Sequence, residues 1–219
     1  MLFDLDGTLV DTWDLYLESY LRTLEPYAGR RLTYDELRAL HPTSELGALA
    51  RAVTPERASA AHAEFLGHYR ALHGELFGDV YPGVGTMLDE LRLRGVTLGV
   101  VTGKSRGAWD VTRPLANLGA FSVFVGDEDV SHPKPSPEGL HVALDRLGVL
   151  PGDAVYVGDS VNDALAAGAA GVRFVAALWA KAANELPSFL ERVRAAGVER
   201  EAREPGDLVT FVEEGLTYL

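Results

Sequence analysis

The chain predicts an α/β fold: a parallel sheet built from βαβ units, with an all-helical subdomain inserted near its start. Three observations lead there. From residue 80 onward, short apolar runs alternate with helical stretches. Residues 13–79 repeat their apolar positions at helical spacing and hold no convincing strand. Finally, the apolar runs end in polar residues, as the strands of an open parallel sheet do where they form a site.

The first run, Met1-Leu2-Phe3, is unusually short, as expected of a chain whose natural start lies a few residues upstream. It leads into Asp4 and Asp6, two positions apart and therefore on one face of an extended chain. Gly7 then turns the chain, and Thr8 offers a hydroxyl to hold one carboxylate. Crowded carboxylates repel and raise one another's pKa unless a cation lies between them. The pair reads as a magnesium-assisted nucleophile with an acid, although a plain Asp-Gly turn would also account for it.

In the insert, Leu15, Leu17, Tyr20, Leu21 and Leu24 mark one helix; Leu37, Leu40, Leu46, Leu49 and Val53 fall in the next two. Thr33-Tyr34-Asp35-Glu36 fits a capping box, and Pro55 takes the first helical position ahead of a long helix over 56–77. The predicted division is a helical subdomain at 13–79 and a core at 1–12 and 80–219. His62, His68 and His73 share the long helix, but at about 100° per residue His68 points away from His62, and His73 lies about 16 Å further along. No single metal joins these three, which read as packing or surface.

The remaining strands are expected at 97–101, 122–125, 154–157 and 172–178. Helices are expected near 84–94, 106–118, 137–147 and 161–169, with Gly95, Gly119, Gly148 and Gly171 as C-terminal stops. Two further helices are expected over 186–196 and 208–216. After the second run come Thr102 and Gly103, a hydroxyl and an amide able to bind a phosphoryl oxygen, then Lys104 and Ser105. Lys134 stands between Pro133 and Pro135, which predict an extended, stiff loop delivering an ammonium. Ser136-Pro137 reads as a helix start. Asp159 and Asp163, four apart at a helix opening, share a face and offer oxygen ligands suited to Mg²⁺. Acidic residues favour helix N-termini in any case. Trp179 either borders the site or covers the core.

Composition narrows the classes. The net charge of −12 argues against a nucleic-acid backbone or an anionic membrane as partner. The absence of cysteine excludes disulfides, thiolate catalysis and zinc–sulfur sites. No signal peptide and no run of about eighteen apolar residues is present, so cytoplasmic residence is the expectation. Nothing in the chain speaks to its oligomeric state.

Asp4-Leu5-Asp6-Gly7-Thr8, Thr102, Lys134 and Gly158-Asp159-x-x-x-Asp163, in this order, resemble the phosphatase branch of the haloacid dehalogenase superfamily, over the whole chain. The resemblance implies a Rossmann-like core with strand order 5-4-1-2-3, a helical cap after the first motif, and Mg²⁺ as cofactor. Asp4 suits a nucleophile forming an aspartyl-phosphate. Asp6 suits the acid that protonates the leaving oxygen and then activates water. Thr102, Gly103 and Lys134 are the expected phosphate binders, Gly103 replacing the family's common asparagine or serine while keeping the backbone donor. Asp4, the Asp6 carbonyl and Asp159 are the expected metal ligands, with Asp163 either a direct ligand or one step behind.

A dehalogenase lacks the second acid, so Asp6 argues against one. A phosphonatase needs a cap lysine, and residues 13–77 contain none. Mutases resembling β-phosphoglucomutase carry a basic cap residue near the position of Glu45, which places that reading second. A non-catalytic binding protein on the same scaffold would have lost Asp4, Asp6 or Asp159. The expected substrate is a small phosphorylated metabolite, phosphoglycolate-like, although similar proteins hydrolyse nucleotides, sugar phosphates or pyrophosphate. Thr43, Ser44 and Arg38 of the cap are the expected selectors, with Arg51 nearby, and closure is expected to hinge near 11–14 and 78–82.

Overall fold

The computed structural model describes residues 1–40, 44–198 and 200–215. Among them, a six-stranded sheet has the order β3-β2-β1-β4-β5-β6. The strands are β1 (Leu2–Phe3), β2 (Gly99–Val101), β3 (Val123–Val125), β4 (Val155–Gly158), β5 (Arg173–Ala177) and β6 (Arg200–Ala202). Every pairing is parallel. The expected five-strand order is therefore corrected by one edge strand. Arg200-Glu201-Ala202 carries no apolar run, and only Ala202 is buried. It becomes a strand by pairing with β5, with Val175 opposite Arg200, a tertiary event without a local signature.

β1 is two residues long but central, with Leu2 facing Gly99 on one side and Tyr156 on the other. Alternation along it feeds both layers of the core. Phe3 packs with Met87, Leu88, Trp109 and Leu208 beneath α5 (Val84–Leu93), α6 (Arg106–Ala116) and α10 (Asp207–Glu213). Leu2 packs with Leu140, Ala143, Ala166 and Ala167 beneath α7 (Glu138–Leu147) and α8 (Val161–Ala170). Along the far edge, α9 (Leu186–Ala195) buries Phe189 and Val193 against Ala176 and Leu178.

Between β1 and α5 lie α1 (Trp13–Ala28), α2 (Tyr34–Ala39), α3 (Glu45–Ala52) and α4 (Pro55–Leu76). They share a cluster that includes Leu15 and Tyr20 of α1, Leu37 of α2, Leu49 of α3, and Phe65 and Tyr69 of α4. The capping box of α2 forms, with Glu36 N–H donating to Thr33 Oγ1 at 3.2 Å and Thr33 N–H to Glu36 Oε2 at 2.8 Å. The chain enters and leaves this helical unit through two crossing segments. Gly78 N–H donates to Asp11 O and Asp11 N–H to Asp79 O, both at 2.9 Å. A Cβ on Gly78 would lie 2.9 Å from Asp11 Cγ, so the crossing needs glycine there. Among the described residues no helix is long and apolar enough to cross a membrane.

Candidate active site

A cavity of about 550 Å³ opens beyond the carboxyl ends of the central strands, under α1 and the start of α3. Asp4, Asp6, Thr102, Gly103, Lys134 and Asp159 all line it.

Asp4 follows directly from β1, its N–H donating to Val157 O at 2.8 Å. Its side chain is buried, and Lys134 Nζ lies 3.0 Å from Oδ1 as a charge partner. Among the described residues that oxygen has this ion pair but no hydrogen bond. Burial pushes the Asp4 pKa up to about 7; Lys134 opposes this, while Asp163, Asp159 and Asp6 add to it. Lys134 sits in a tight turn closed by Ser136 N–H to Pro133 O at 3.0 Å, rather than in the extended loop its prolines suggest. Its peptide to Pro135 is cis. Burial disfavours its charge, but Asp163 and Asp4 hold its pKa well above the lysine range.

Asp163 is fully buried and does not line the cavity. Its Oδ1 accepts from Lys134 Nζ at 2.6 Å, and its Oδ2 from the N–H and hydroxyl of Ser160 at 3.0 and 2.6 Å. The Tyr156 hydroxyl, 3.1 Å from both Lys134 Nζ and Asp163 Oδ1, closes the group from below. Asp163 thus caps α8 and steadies Lys134. Asp159 leans against Gly7, where a Cβ would come within 2.5 Å of Oδ2, and Gly7 has φ +79°. Thr8 Oγ1 lies 3.4 Å from Asp159 Oδ1, and Lys181 Nζ lies 2.6 Å from Oδ2. Burial raises the Asp159 pKa against the pull of Lys181.

Asp4, Asp159 and Asp163 offer oxygen atoms within 4.8 Å of one another, a cluster that could hold a metal ion. An all-carboxylate donor set suits a hard cation. Asp6 stands outside this cluster: its Oδ1 accepts from Thr12 Oγ1 at 2.5 Å and pairs with Lys104 Nζ at 3.0 Å. Lys104 is buried, donates to Tyr69 OH at 3.1 Å, and lies 4.1 Å from the Tyr16 ring centroid. Burial works against its charge, yet Asp6, Tyr69 and Glu45 keep its pKa above the usual value.

On the helical side, Glu45 is buried and lines the cavity. The Tyr16 hydroxyl donates to it, and His62 Nε2 lies 3.1 Å from Oε2. Burial alone would raise its pKa; His62, Lys104, Ser105 and Tyr16 outweigh that and lower it. Ser44 is not a cavity residue. Its Oγ accepts from Gly47 N–H at 2.9 Å and caps α3. Thr43 and the Arg38 side chain lie outside the described residues. Arg51 Nε donates to Leu40 O at 2.9 Å. Of its two expected roles Trp179 takes the core one: it packs on the core, its Nε1 donates to Thr8 O at 2.8 Å, and it is not among the residues that line the cavity. His73 is buried against Thr112 in the contact between α4 and α6.

Motif reasoning omits Lys181 from the site and assigns no role to Lys104, yet a signal for both is present. Of twenty Lys and Arg residues only Lys104, Lys134 and Lys181 are lysine, and all three line this cavity.

Residues 1–177 match the family of haloacid dehalogenase-like hydrolases. The pyrophosphatase PpaX of Bacillus velezensis is 37% identical over 195 residues, covering 86% of this chain and 88% of that protein. A phosphoglycolate phosphatase of Xylella fastidiosa is 35% identical over 189 residues, covering 84% of this chain and 82% of its own length. Among solved structures, CbbY of Rhodobacter sphaeroides in complex with phosphate superposes with a TM-score of 0.78 at 26% identity, covering 94% of each chain.

Proposed function

The chain belongs to the haloacid dehalogenase-like hydrolase family, and we propose that it is a Mg²⁺-dependent phosphatase acting on a small, phosphoglycolate-like phosphomonoester through an aspartyl-phosphate on Asp4. One observation carries the reading: Asp4, Asp6, Asp159 and Lys134 line one cavity together with Thr102 and Gly103. The phosphatase and pyrophosphatase relatives support the reaction class, and the buried carboxylate cluster supports the cation.

Asp4 attacks phosphorus, forming the acyl-phosphate bond as the P–O ester bond breaks. Asp6 gives its proton to the departing oxygen, then takes one from the water that cleaves the acyl-phosphate and frees phosphate. Asp4 and Asp159 carboxylates with the Asp6 carbonyl would hold Mg²⁺, which supplies charge neutralisation of the transferring phosphoryl group. Lys134, the Thr102 hydroxyl and the Gly103 amide bind phosphoryl oxygens. The Thr102 oxygen already accepts from Lys104 N–H at 3.2 Å, which leaves its proton free to donate. In this reading, residues 13–79 act as a cap over a core of 1–12 and 80–219, closing through the crossing at Asp11 and Gly78.

Glu45 weighs against the mutase alternative. A buried carboxylate whose oxygens are taken by Tyr16 and His62 offers nothing to a second phosphate. The test is phosphate release from a panel including phosphoglycolate, sugar phosphates, nucleoside monophosphates and pyrophosphate. Each would be run with Mg²⁺ and with chelator, on wild type and Asp4→Asn. Magnesium-dependent release abolished in the variant is expected. Release surviving in Asp4→Asn would overturn the nucleophile assignment, and glucose-phosphate isomerisation without release would favour the mutase.

A further inference from the structure

The three lysines are matched one to one with the three cavity carboxylates of the proposed mechanism. Lys134 lies 3.0 Å from Asp4, Lys104 3.0 Å from Asp6, and Lys181 2.6 Å from Asp159. Elsewhere the chain carries its positive charge on arginine. A guanidinium is a broad planar fork, whereas an ammonium is a compact point charge that fits beside one carboxylate oxygen without covering the other. That restriction of lysine to the cavity makes Lys181 hard to read as an ordinary solvated charge.

Its surroundings point the same way. Lys181 N–H donates to Leu178 O at 3.0 Å, closing a turn just after β5. Trp179 on that turn donates to Thr8 O, and Lys181 reaches Asp159. One turn therefore grips both the first loop, at Thr8, and the loop after β4, at Asp159. The Lys181 ammonium lies 5.0 Å from the centroid of the buried Phe189 ring, which backs it from the α9 side. Asp159 is left with Gly7 against Oδ2, Thr8 beside Oδ1 and Lys181 on Oδ2. Its rotation is set from outside, with Oδ1 free of the lysine.

We propose that Lys181 is a positioning residue for cation binding: by holding Asp159 Oδ2 it orients the carboxylate so that Oδ1 serves the metal. This rests on the reading that Asp4 and Asp159 hold the ion. Partners that orient a metal-binding carboxylate are typically worth about 10- to 100-fold in metal affinity.

The experiment is a Mn²⁺ titration followed by the electron paramagnetic resonance signal of the free ion, on wild type, Asp159→Asn, Lys181→Met and Lys181→Arg. Thermal midpoints are taken without metal. Binding by the wild type that is lost in Asp159→Asn, and weakened about 10-fold or more in a Lys181→Met that still unfolds cooperatively, is expected. Lys181→Arg should recover part of the loss. Turnover of Lys181→Met should return at high Mg²⁺, as a general structural defect would not. Should the Met variant unfold, Lys181→Gln, which removes the charge and shortens the stem, must show a weakening larger than that of Lys181→Arg. Binding lost in Asp159→Asn but as tight as wild type, or tighter, in Lys181→Met would overturn the Lys181 assignment alone. No Mn²⁺ binding by the wild type would overturn the metal reading and this proposal with it.

Discussion

Lys104 Nζ lies 3.0 Å from Asp6 Oδ1 and 3.1 Å from the Tyr69 hydroxyl. One buried ammonium thus ties the loop after β2 both to the first loop and to α4 in the helical unit. Its removal acts at both ends. Lys104→Met keeps the stem's bulk but leaves Asp6 with Thr12 and no cation, and it takes a donor from Tyr69. Because Asp6 is partly exposed and can recruit water, a loss of about 1–3 kcal/mol is expected, seen as a lower urea midpoint. Phosphate release should fall too, since Asp6 loses the contact that sets its orientation. A variant matching wild type in both measurements would refute this role.

Acidification should weaken Mg²⁺ binding. Burial raises the Asp4 pKa from 3.8 to about 7 in the metal-free protein, so below that pH the cation must displace a proton. The sign for stability is opposite to that of a carboxylate whose pKa is lowered on folding, because burial here outweighs the pull of Lys134. The folded state holds the extra proton between about 4 and 7, so this group's contribution to metal-free stability declines as pH rises through that window. Calorimetry in two buffers of different protonation enthalpy should show proton release on Mg²⁺ binding at about pH 6 and less at about pH 8. Equal affinity and no release at both would contradict it.

The imidazole of His62 should titrate above the ordinary histidine value. Its hydrogen bond to Glu45 raises the pKa, and partial burial only partly offsets this. A raised histidine pKa stabilises the fold below 6.5, and that contribution is lost as pH climbs through the folded value. In an NMR titration, Glu45→Gln should move His62 down by removing the charge. An unmoved midpoint would show that the Glu45 contact does not set it.

Gly7→Ala should damage metal binding more than folding. The left-handed backbone at Gly7 costs a non-glycine residue about 1–2 kcal/mol. The new methyl group would also stand 2.5 Å from Asp159 Oδ2 and must push that carboxylate aside. A thermal midpoint lowered by a few degrees together with weaker Mn²⁺ binding is expected. Metal affinity equal to wild type would mean that Asp159 can shift at no cost to the site.

Much of the fold is legible in the chain because its signals are local. Pro55 and the Thr33–Glu36 box start helices where they stand, and Gly148 and Gly171 end α7 and α8 in the left-handed conformation. Asp4 and Asp6 are legible for the same reason, since a strand followed by Gly7 delivers both with no help from elsewhere. β6 is not, because Arg200-Glu201-Ala202 becomes a strand only through the free edge of β5. The partners of Glu45 were equally hidden: His62 is seventeen residues away, and Lys104 and Ser105 come from another part of the chain.

The chain by itself determined the alternation of strands and helices, the helical insert, and which carboxylates stand at strand ends, because backbone propensity and side-chain periodicity act over a few residues. Tertiary structure alone decided what each carboxylate meets. Asp163 turned inward to Ser160 and Lys134, Asp6 met Lys104, and Asp159 met Lys181 from a turn with no motif of its own. Burial made those pairings necessary: a charge withdrawn from water needs a partner, and which partner is within reach depends on how the distant loops close over the sheet.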